Sequence, residues 1–133
     1  MKKIIVPGIA FTIIVISISL LINNNQEQPE VLEGESSIDV MMPTKSSRPG
    51  CEDTDSCYIP STIKISAGES VTWKNSDSAF HSVTSGSYDL PDGRFDSGHM
   101  DPSQTFTVTF DEAGIHDYFC KLHPWMKGQV VVE

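Results

Sequence analysis

The residues near the carboxyl end of the chain carry the clearest chemistry in the sequence. Cys120, His123 and Met126 recur at steps of three residues in the segment YFCKLHPWMKG, and a second imidazole is available at His81. A tight loop after a strand can direct a thiolate, an imidazole and a thioether toward one point. Two histidines, one cysteine and a weakly bound methionine are the ligand set of electron-transfer copper sites, whereas zinc prefers four strong ligands. The spacing therefore predicts a copper site formed by His81, Cys120, His123 and Met126.

Some of these residues also have purely structural interpretations. A free cysteine such as Cys120 is often a small buried apolar residue, and a methionine such as Met126 often fills a gap in a core. The recurrence of three ligand types in one short loop favours metal binding over these two structural interpretations. The other histidines are weaker candidates: His116 is predicted to be a hydrogen-bonded histidine of the interior or its rim, and His99 to be exposed beside a packed Met100.

The elements that must position these residues are predicted to be strands. Thr105–Phe110 gives the strongest signal, because its threonines alternate with apolar residues, the period of a half-buried strand. Turn-forming residues separate the segments, for example at Pro91–Gly93, and no sustained helical period follows residue 36. This pattern predicts an all-β antiparallel sandwich or barrel. The predicted strands are Ile38–Met42, Thr62–Ile65, Ser70–Lys74, His81–Thr84, Thr105–Phe110, Ile115–Cys120 and Gln129–Val132.

Residues 1–25 are predicted to be a membrane anchor or a signal peptide. Ile4–Ile22 is an uncharged run of 19 residues, which as a helix would span about 28 Å, close to the hydrocarbon thickness of a bilayer. Lys2 and Lys3 precede it, so the positive-inside rule predicts that the rest of the chain lies outside the cytoplasm. The run does not end in the small residues of a cleavage site, which favours a retained transmembrane helix over a cleaved signal.

The remainder of the chain is predicted to be a tether followed by one domain. Residues 26–36 are polar and acidic and are predicted to be a flexible linker, and residues 37–133 to be a single domain. Cys51 and Cys57 lie in the acidic segment CEDTDSC, and outside the cytoplasm we expect them to form a disulfide. A zinc site on this pair is the alternative, although no histidine is near in sequence.

The charge of the chain limits the classes of partner. Nine Lys and Arg residues against 18 Asp and Glu residues give a formal net charge of -9. This acidity argues against nucleic acid and favours a partner with a basic docking surface. The sequence also contains no glycine loop for phosphate binding and no credible nucleophilic triad.

Most of the predicted outer domain resembles the cupredoxins, the small blue-copper proteins of the plastocyanin and amicyanin type. The short Cys-x-x-His-x-x-Met loop, with Pro124 after the histidine, is most similar to amicyanin, and the membrane-tethered form is similar to the halocyanin group. The resemblance implies a Greek-key β-sandwich with one type 1 copper ion bound by His81, Cys120, His123 and Met126. The segments that carry it are Ile63–Asn75, Phe80–Val83, Phe95–Phe110 and Gly114–Val132.

The sequence departs from the cupredoxin pattern at three positions. Phe80 and Ser82 stand where the family usually has Pro and Asn around the first histidine ligand, and Trp125 stands where amicyanin-type loops have Phe. In the family the Asn helps to lock the two ligand loops together. Because Ser is shorter, we expect a looser or more open copper pocket. The bulk of Trp125 is expected either to shield the metal or to reshape the partner-facing surface.

Two functions from different classes follow from this reading. The first, which the sequence favours, is an electron carrier: a monomer at the outer face of the cell membrane that passes single electrons between redox proteins. The alternative is a copper redox enzyme that acts on a small inorganic molecule at an open coordination position. A copper chaperone is disfavoured because the chain has no Met- or His-rich tract.

Overall fold

The computed structural model describes residues 37–133, which form two β-sheets. The predicted transmembrane helix at Ile4–Ile22 and the predicted linker at 26–36 lie outside these residues. Within residues 37–133, no helix is long and apolar enough to cross a membrane. The elements are β1 (Val40–Met42), a 3₁₀ helix (Glu52–Thr54), β2 (Thr62–Ile65), β3 (Glu69–Asn75), β4 (Thr84–Ser87), β5 (Leu90–Asp96), β6 (Thr105–Phe110), β7 (Gly114–Phe119) and β8 (Lys127–Val132).

The strands divide into a three-stranded and a five-stranded sheet. The smaller sheet has the order β1-β3-β6, and the larger has the order β2-β8-β7-β4-β5. Most neighbours are antiparallel, but β1 pairs with β3 and β2 with β8 in parallel. The chain crosses repeatedly between the sheets, which confirms the predicted all-β sandwich. The copper-site candidates follow β7 and precede β4, two neighbouring strands of the larger sheet.

An aromatic cluster around Trp73 fills the space between the sheets. Trp73 lies on β3 and is completely buried. Its ring centroid is 5.3 Å from that of Tyr118 on β7, in an edge-to-face arrangement. Phe106 and Phe110 on β6 contact the same indole at 6.2 and 6.4 Å. The predicted alternation of β6 is therefore confirmed: its apolar residues point inward and its threonines point outward.

Six of the seven predicted strands are confirmed with small shifts in their ends, but two predictions are wrong. The strand predicted at His81–Thr84 begins only at Thr84, because His81 makes an isolated bridge to Met100 instead of joining the sheet. The turn predicted at Pro91–Gly93 lies within β5. A proline is tolerated there because β5 is the edge strand of its sheet, where a missing backbone donor leaves no neighbour unpaired.

The predicted disulfide between Cys51 and Cys57 is present. Because the two sulfur atoms are bonded to each other, neither is free to bind zinc, and the alternative zinc site on this pair is excluded. The bridge closes the short segment between β1 and β2 that contains the 3₁₀ helix. Cys57 and the adjacent Tyr58 belong to the core, so the disulfide joins this surface segment to the interior of the domain.

Gly128 on β8 is a close-approach position, and we expect Gly128→Ala to destabilise the protein. A Cβ atom at this position would overlap with Cζ and Oη of the Tyr118 side chain. The Tyr118 ring cannot move away, because it is 1% exposed and packs against Tyr58 and Trp73. Overpacking of this kind costs about 1–3 kcal/mol.

Denaturant unfolding measures this cost. The matched control is Lys127→Ala on the same strand, whose exposed side chain should change the free energy of unfolding by less than about 0.5 kcal/mol. Equal stability of the two variants would show that the Tyr118 ring can shift without penalty.

Candidate metal centre

Three of the four predicted ligands converge at one end of the sandwich. Cys120 directly follows β7, His123 lies in the loop before β8, and His81 lies in the segment before β4. Sγ of Cys120 is 3.9 Å from Nδ1 of His81 and 3.6 Å from Nδ1 of His123. The two Nδ1 atoms are 3.2 Å apart. One sulfur and two nitrogen atoms from distant parts of the sequence therefore surround a common point.

This triangle of donor atoms has the dimensions of a trigonal metal site. Bonds of about 2.0 Å to imidazole nitrogen and about 2.3 Å to thiolate sulfur place the donor atoms about 3.5–3.7 Å apart when the three ligands lie in one plane. The separations between His81, Cys120 and His123 scatter around these values. Because two imidazoles and a thiolate suit copper, the donor set and its spacing both fit that ion.

The loop from Cys120 to Met126 is closed by its own backbone. The amide of Met126 donates to the carbonyl of His123 at 2.9 Å, and the amide of Cys120 donates to the carbonyl of Met126 at 3.2 Å. Met126 is completely buried in the core. The three-residue steps seen in the sequence therefore produce a compact turn, in which backbone hydrogen bonds connect Met126 with both His123 and Cys120.

The sulfur of Cys120 is surrounded by hydrogen-bond donors. The amide of Ser82 donates to it at 3.3 Å. Burial opposes ionisation of the thiol, but hydrogen bonds from His81 and from the amides of Ser82, Leu122 and His123 outweigh burial and lower the pKa of Cys120. Ionisation to the thiolate, the form that binds metals, is therefore easier than in an ordinary cysteine.

Ser82 joins the two ligand segments, although its side chain is shorter than the Asn that is usual in the resembled family. Its buried hydroxyl accepts a hydrogen bond of 2.8 Å from the amide of Lys121, the residue after Cys120. The same hydroxyl lies 3.2 Å from Oγ1 of Thr84, and the Ser82 carbonyl accepts a hydrogen bond of 2.7 Å from Tyr58. The short side chain of Ser82 can form this connection because the backbone of Lys121 approaches its hydroxyl closely.

The other side of the His81 ring contacts two residues that the sequence analysis did not identify. Nε2 of the fully buried His81 is 3.0 Å from Oδ2 of Asp77 and 3.3 Å from Oγ of Ser46. Burial lowers the pKa of His81, but the interactions with Cys120 and Asp77 outweigh it and raise the pKa. Asp77 lies four residues before His81 in a turn, which is the only local signal that could have indicated it.

Asp77 is ionised although it is buried. Burial raises the pKa of this carboxyl group, but hydrogen bonds donated by the amides of Lys45, Ser47 and Ser78 and by His81 outweigh it and hold the pKa well below its usual range. The amide distances are 2.9, 3.1 and 2.8 Å. The candidate site therefore has a fixed negative charge next to the ring of one of its histidines.

His123 forms the more accessible edge of the cluster. Its ring is half-buried and lies 4.8 Å from the ring of His81 and 5.3 Å from that of Trp125. Burial and the nearby His81 lower the pKa of His123. Trp125 does not project freely into solvent, because its Nε1 donates a hydrogen bond of 3.1 Å to the carbonyl of Ser46.

The remaining histidines have the structural roles predicted for them. His116 is 8% exposed, lies 3.0 Å from Nη1 of Arg94, and packs against the ring of Phe110. His99 is exposed and stacks on the ring of Phe80, and Met100 is buried. Neither histidine belongs to the group formed by His81, Cys120 and His123.

We expect Ser82→Ala to weaken the connection between the ligand segments. The substitution leaves the amide of Lys121 without its acceptor, at a cost of about 1–3 kcal/mol in the free energy of unfolding. Chemical denaturation of the metal-free protein measures this cost. Ser87→Ala, at an exposed position on β4, is the matched control and should be neutral. If both variants unfold at the same denaturant concentration, the Ser82 hydroxyl does not hold the segments together.

Comparison with known sequences gives a consistent result. The profile described as copper binding proteins, plastocyanin/azurin family, matches residues 47–133. The chain is 38% identical over 76 residues to an amicyanin of Paracoccus versutus, covering 57% of this chain and 58% of that protein. It is 33% identical over 84 residues to a plastocyanin of Scenedesmus fuscus, covering 57% of this chain and 86% of that protein. The chain thus spans less than two thirds of the length of the amicyanin that it matches.

A solved structure extends the similarity to the fold. The structure described as a novel purple cupredoxin from Nitrosopumilus maritimus matches with a TM-score of 0.66 and 28% sequence identity, over 73% of this chain and 100% of that one. Residues 47–133, which the profile matches, contain both ligand segments and the strands β2–β8. The profile match, the fold and the cluster of donor atoms agree. The chain belongs to the plastocyanin/azurin family of copper-binding proteins, the cupredoxins.

Proposed function

We propose that this cupredoxin carries single electrons between redox partners by means of one type 1 copper ion. The observation that carries the proposal is the convergence of Nδ1 of His81, Sγ of Cys120 and Nδ1 of His123 within 4.8 Å of one another. These three residues are proposed as the strong ligands, and the buried Met126 as the weak axial ligand. The amicyanin and plastocyanin homologues support this assignment.

The protein contributes a fixed arrangement of ligands. Bound copper supplies a one-electron couple between Cu(II) and Cu(I). His81, Cys120 and Met126 are completely buried, and Ser82 ties the two ligand segments together. Because packed side chains and hydrogen bonds hold the donor atoms, they move little when the charge of the site changes, which keeps the reorganisation energy low.

The half-buried ring of His123 is the proposed route for electrons. The side chains next to the two histidines in sequence are apolar and exposed: Phe80 by 54% and Leu122 by 39%. An apolar surface around an exposed ligand edge lets a partner approach closely and exclude water. The net charge of -9 favours a partner with a basic surface.

The location of the protein is proposed from the sequence. The uncharged run Ile4–Ile22, preceded by Lys2 and Lys3, supports a membrane anchor of the halocyanin type with the copper domain outside the cytoplasm. The Cys51–Cys57 disulfide is consistent with an oxidising compartment. Tethering would raise the effective concentration of the domain near membrane redox complexes.

Copper reconstitution tests the proposed site. We expect the purified protein with one equivalent of Cu(II) to develop intense visible absorption from the thiolate, and Cys120→Ser and His123→Ala to lose it. His99→Ala removes an exposed imidazole outside the cluster and should keep the absorption unchanged. A colourless wild-type protein would disprove the assignment, and a shift of its spectrum by azide would favour catalysis at an open coordination position.

Electron exchange tests the proposed surface. With a basic c-type cytochrome as partner, we expect the exchange rate to fall as ionic strength rises, because salt screens the attraction. Leu122→Ser should slow exchange at every salt concentration, whereas Leu90→Ser, at a position that is 75% exposed on β5, should not. Equal rates for the two variants would show that electrons do not leave beside His123.

A further inference from the structure

On the side that faces away from the donor cluster, the ring of His81 contacts two polar side chains. Nδ1 faces Cys120 and His123, whereas Nε2 lies 3.0 Å from the carboxylate of Asp77 and 3.3 Å from the hydroxyl of Ser46. An imidazole that binds a metal through Nδ1 carries its proton on Nε2. A carboxylate that accepts this hydrogen bond selects the tautomer, fixes the ring orientation and makes the ring a stronger donor.

The Asp77 carboxylate is in turn held by a surface segment, residues 43–57, which we name the 43–57 loop. The amide of Lys45 donates to one carboxylate oxygen and the amide of Ser47 to the other. Lys45 adopts a left-handed backbone conformation with φ of 74°. Few side chains favour this conformation, so the contacts of the loop must compensate for it. The position of the carboxylate therefore depends on this loop.

The 43–57 loop also contacts the second ligand segment. The carbonyl of Ser46 accepts the hydrogen bond from the indole of Trp125, which lies between His123 and Met126 in sequence. The Cys51–Cys57 disulfide closes the distal part of the loop, and Cys57 is 4% exposed in the core. One disulfide-closed segment thus connects with both halves of the metal centre.

We propose that the 43–57 loop positions His81 as a copper ligand, acting through Asp77 and Ser46, an inference that rests on the proposed function. Asp77 also adds a negative charge to a site that already contains the Cys120 thiolate. Two negative charges neutralise Cu(II) but leave Cu(I) with an excess negative charge. Asp77 therefore stabilises the oxidised state and lowers the reduction potential.

Asp77→Asn in the full-length protein tests this proposal. The variant keeps the size of the side chain but removes its charge, and its amide group can donate to Nε2 as well as accept from it. In the metal-free protein, ¹⁵N NMR at a pH where the ring is neutral should show His81 as a single Nε2–H tautomer in the wild type and as a mixture in the variant. With copper, the Cu(II) dissociation constant should rise about 10- to 100-fold, and the reduction potential should rise.

The matched control is Asp53→Asn, which makes the same charge change at an exposed position of the same loop. We expect it to keep the wild-type tautomer, Cu(II) affinity and potential. If Asp77→Asn and Asp53→Asn are indistinguishable in all three measurements, the proposal is wrong. If the wild type binds no copper, the proposed function fails, whereas the tautomers of the metal-free protein still decide whether Asp77 orients His81.

A second pair of variants covers the possibility that Asp77→Asn fails to fold. Ser46→Ala removes the hydroxyl next to Nε2 and should also weaken Cu(II) binding, whereas Ser47→Ala keeps the amide that contacts Asp77 and should not. Replacing both Cys51 and Cys57 by Ser should accelerate hydrogen exchange at the amides of Lys45 and Ser47. Unchanged exchange, with unchanged Cu(II) affinity in Ser46→Ala, would overturn a role for the loop.

Discussion

The hydrogen bonds of Ser82 are the constraint on which the metal centre depends. Its amide donates to the sulfur of Cys120, its hydroxyl accepts from the amide of Lys121, and its carbonyl accepts from Tyr58. His81 is adjacent in sequence, so these bonds, together with the pairing of β4 with β7, hold its ring beside Cys120. One buried residue therefore contributes three of the contacts that bring together donors 39 residues apart in sequence.

The sandwich supplies a rigid support for this junction. β4 and β7 are hydrogen-bonded neighbours, and their ends carry the segments that contain His81 and Cys120. Trp73 and its aromatic neighbours pack the two sheets against each other. Functional side chains held on such elements keep their geometry better than side chains on free loops. The fold thus fixes the positions of the ligand segments, and with them the arrangement of the donor atoms.

Local patterns in the sequence predicted much of this molecule, and contacts between distant residues account for what was missed. The Cys120–Met126 loop was recognisable because its ligands are close in sequence, and β6 because its alternation is regular. Asp77 and Ser46 were not identified, since their importance arises only when they meet the ring of His81 in the folded chain. The strand β5 was missed because Pro91 and Gly93 are typical of turns, and only its edge position makes them acceptable.

The two tryptophans occupy different environments, and their fluorescence should differ accordingly. The indole of Trp73 is completely enclosed by aromatic rings in the core. Trp125 is half-buried, hydrogen-bonded to Ser46, and 5.3 Å from the ring of His123. An excited indole so close to a transition-metal ion loses its energy efficiently, whereas an indole in the apolar interior emits at short wavelength. The intrinsic fluorescence of this protein should therefore contain a short-wavelength component from the core and a component from Trp125 that reports on the surroundings of His123.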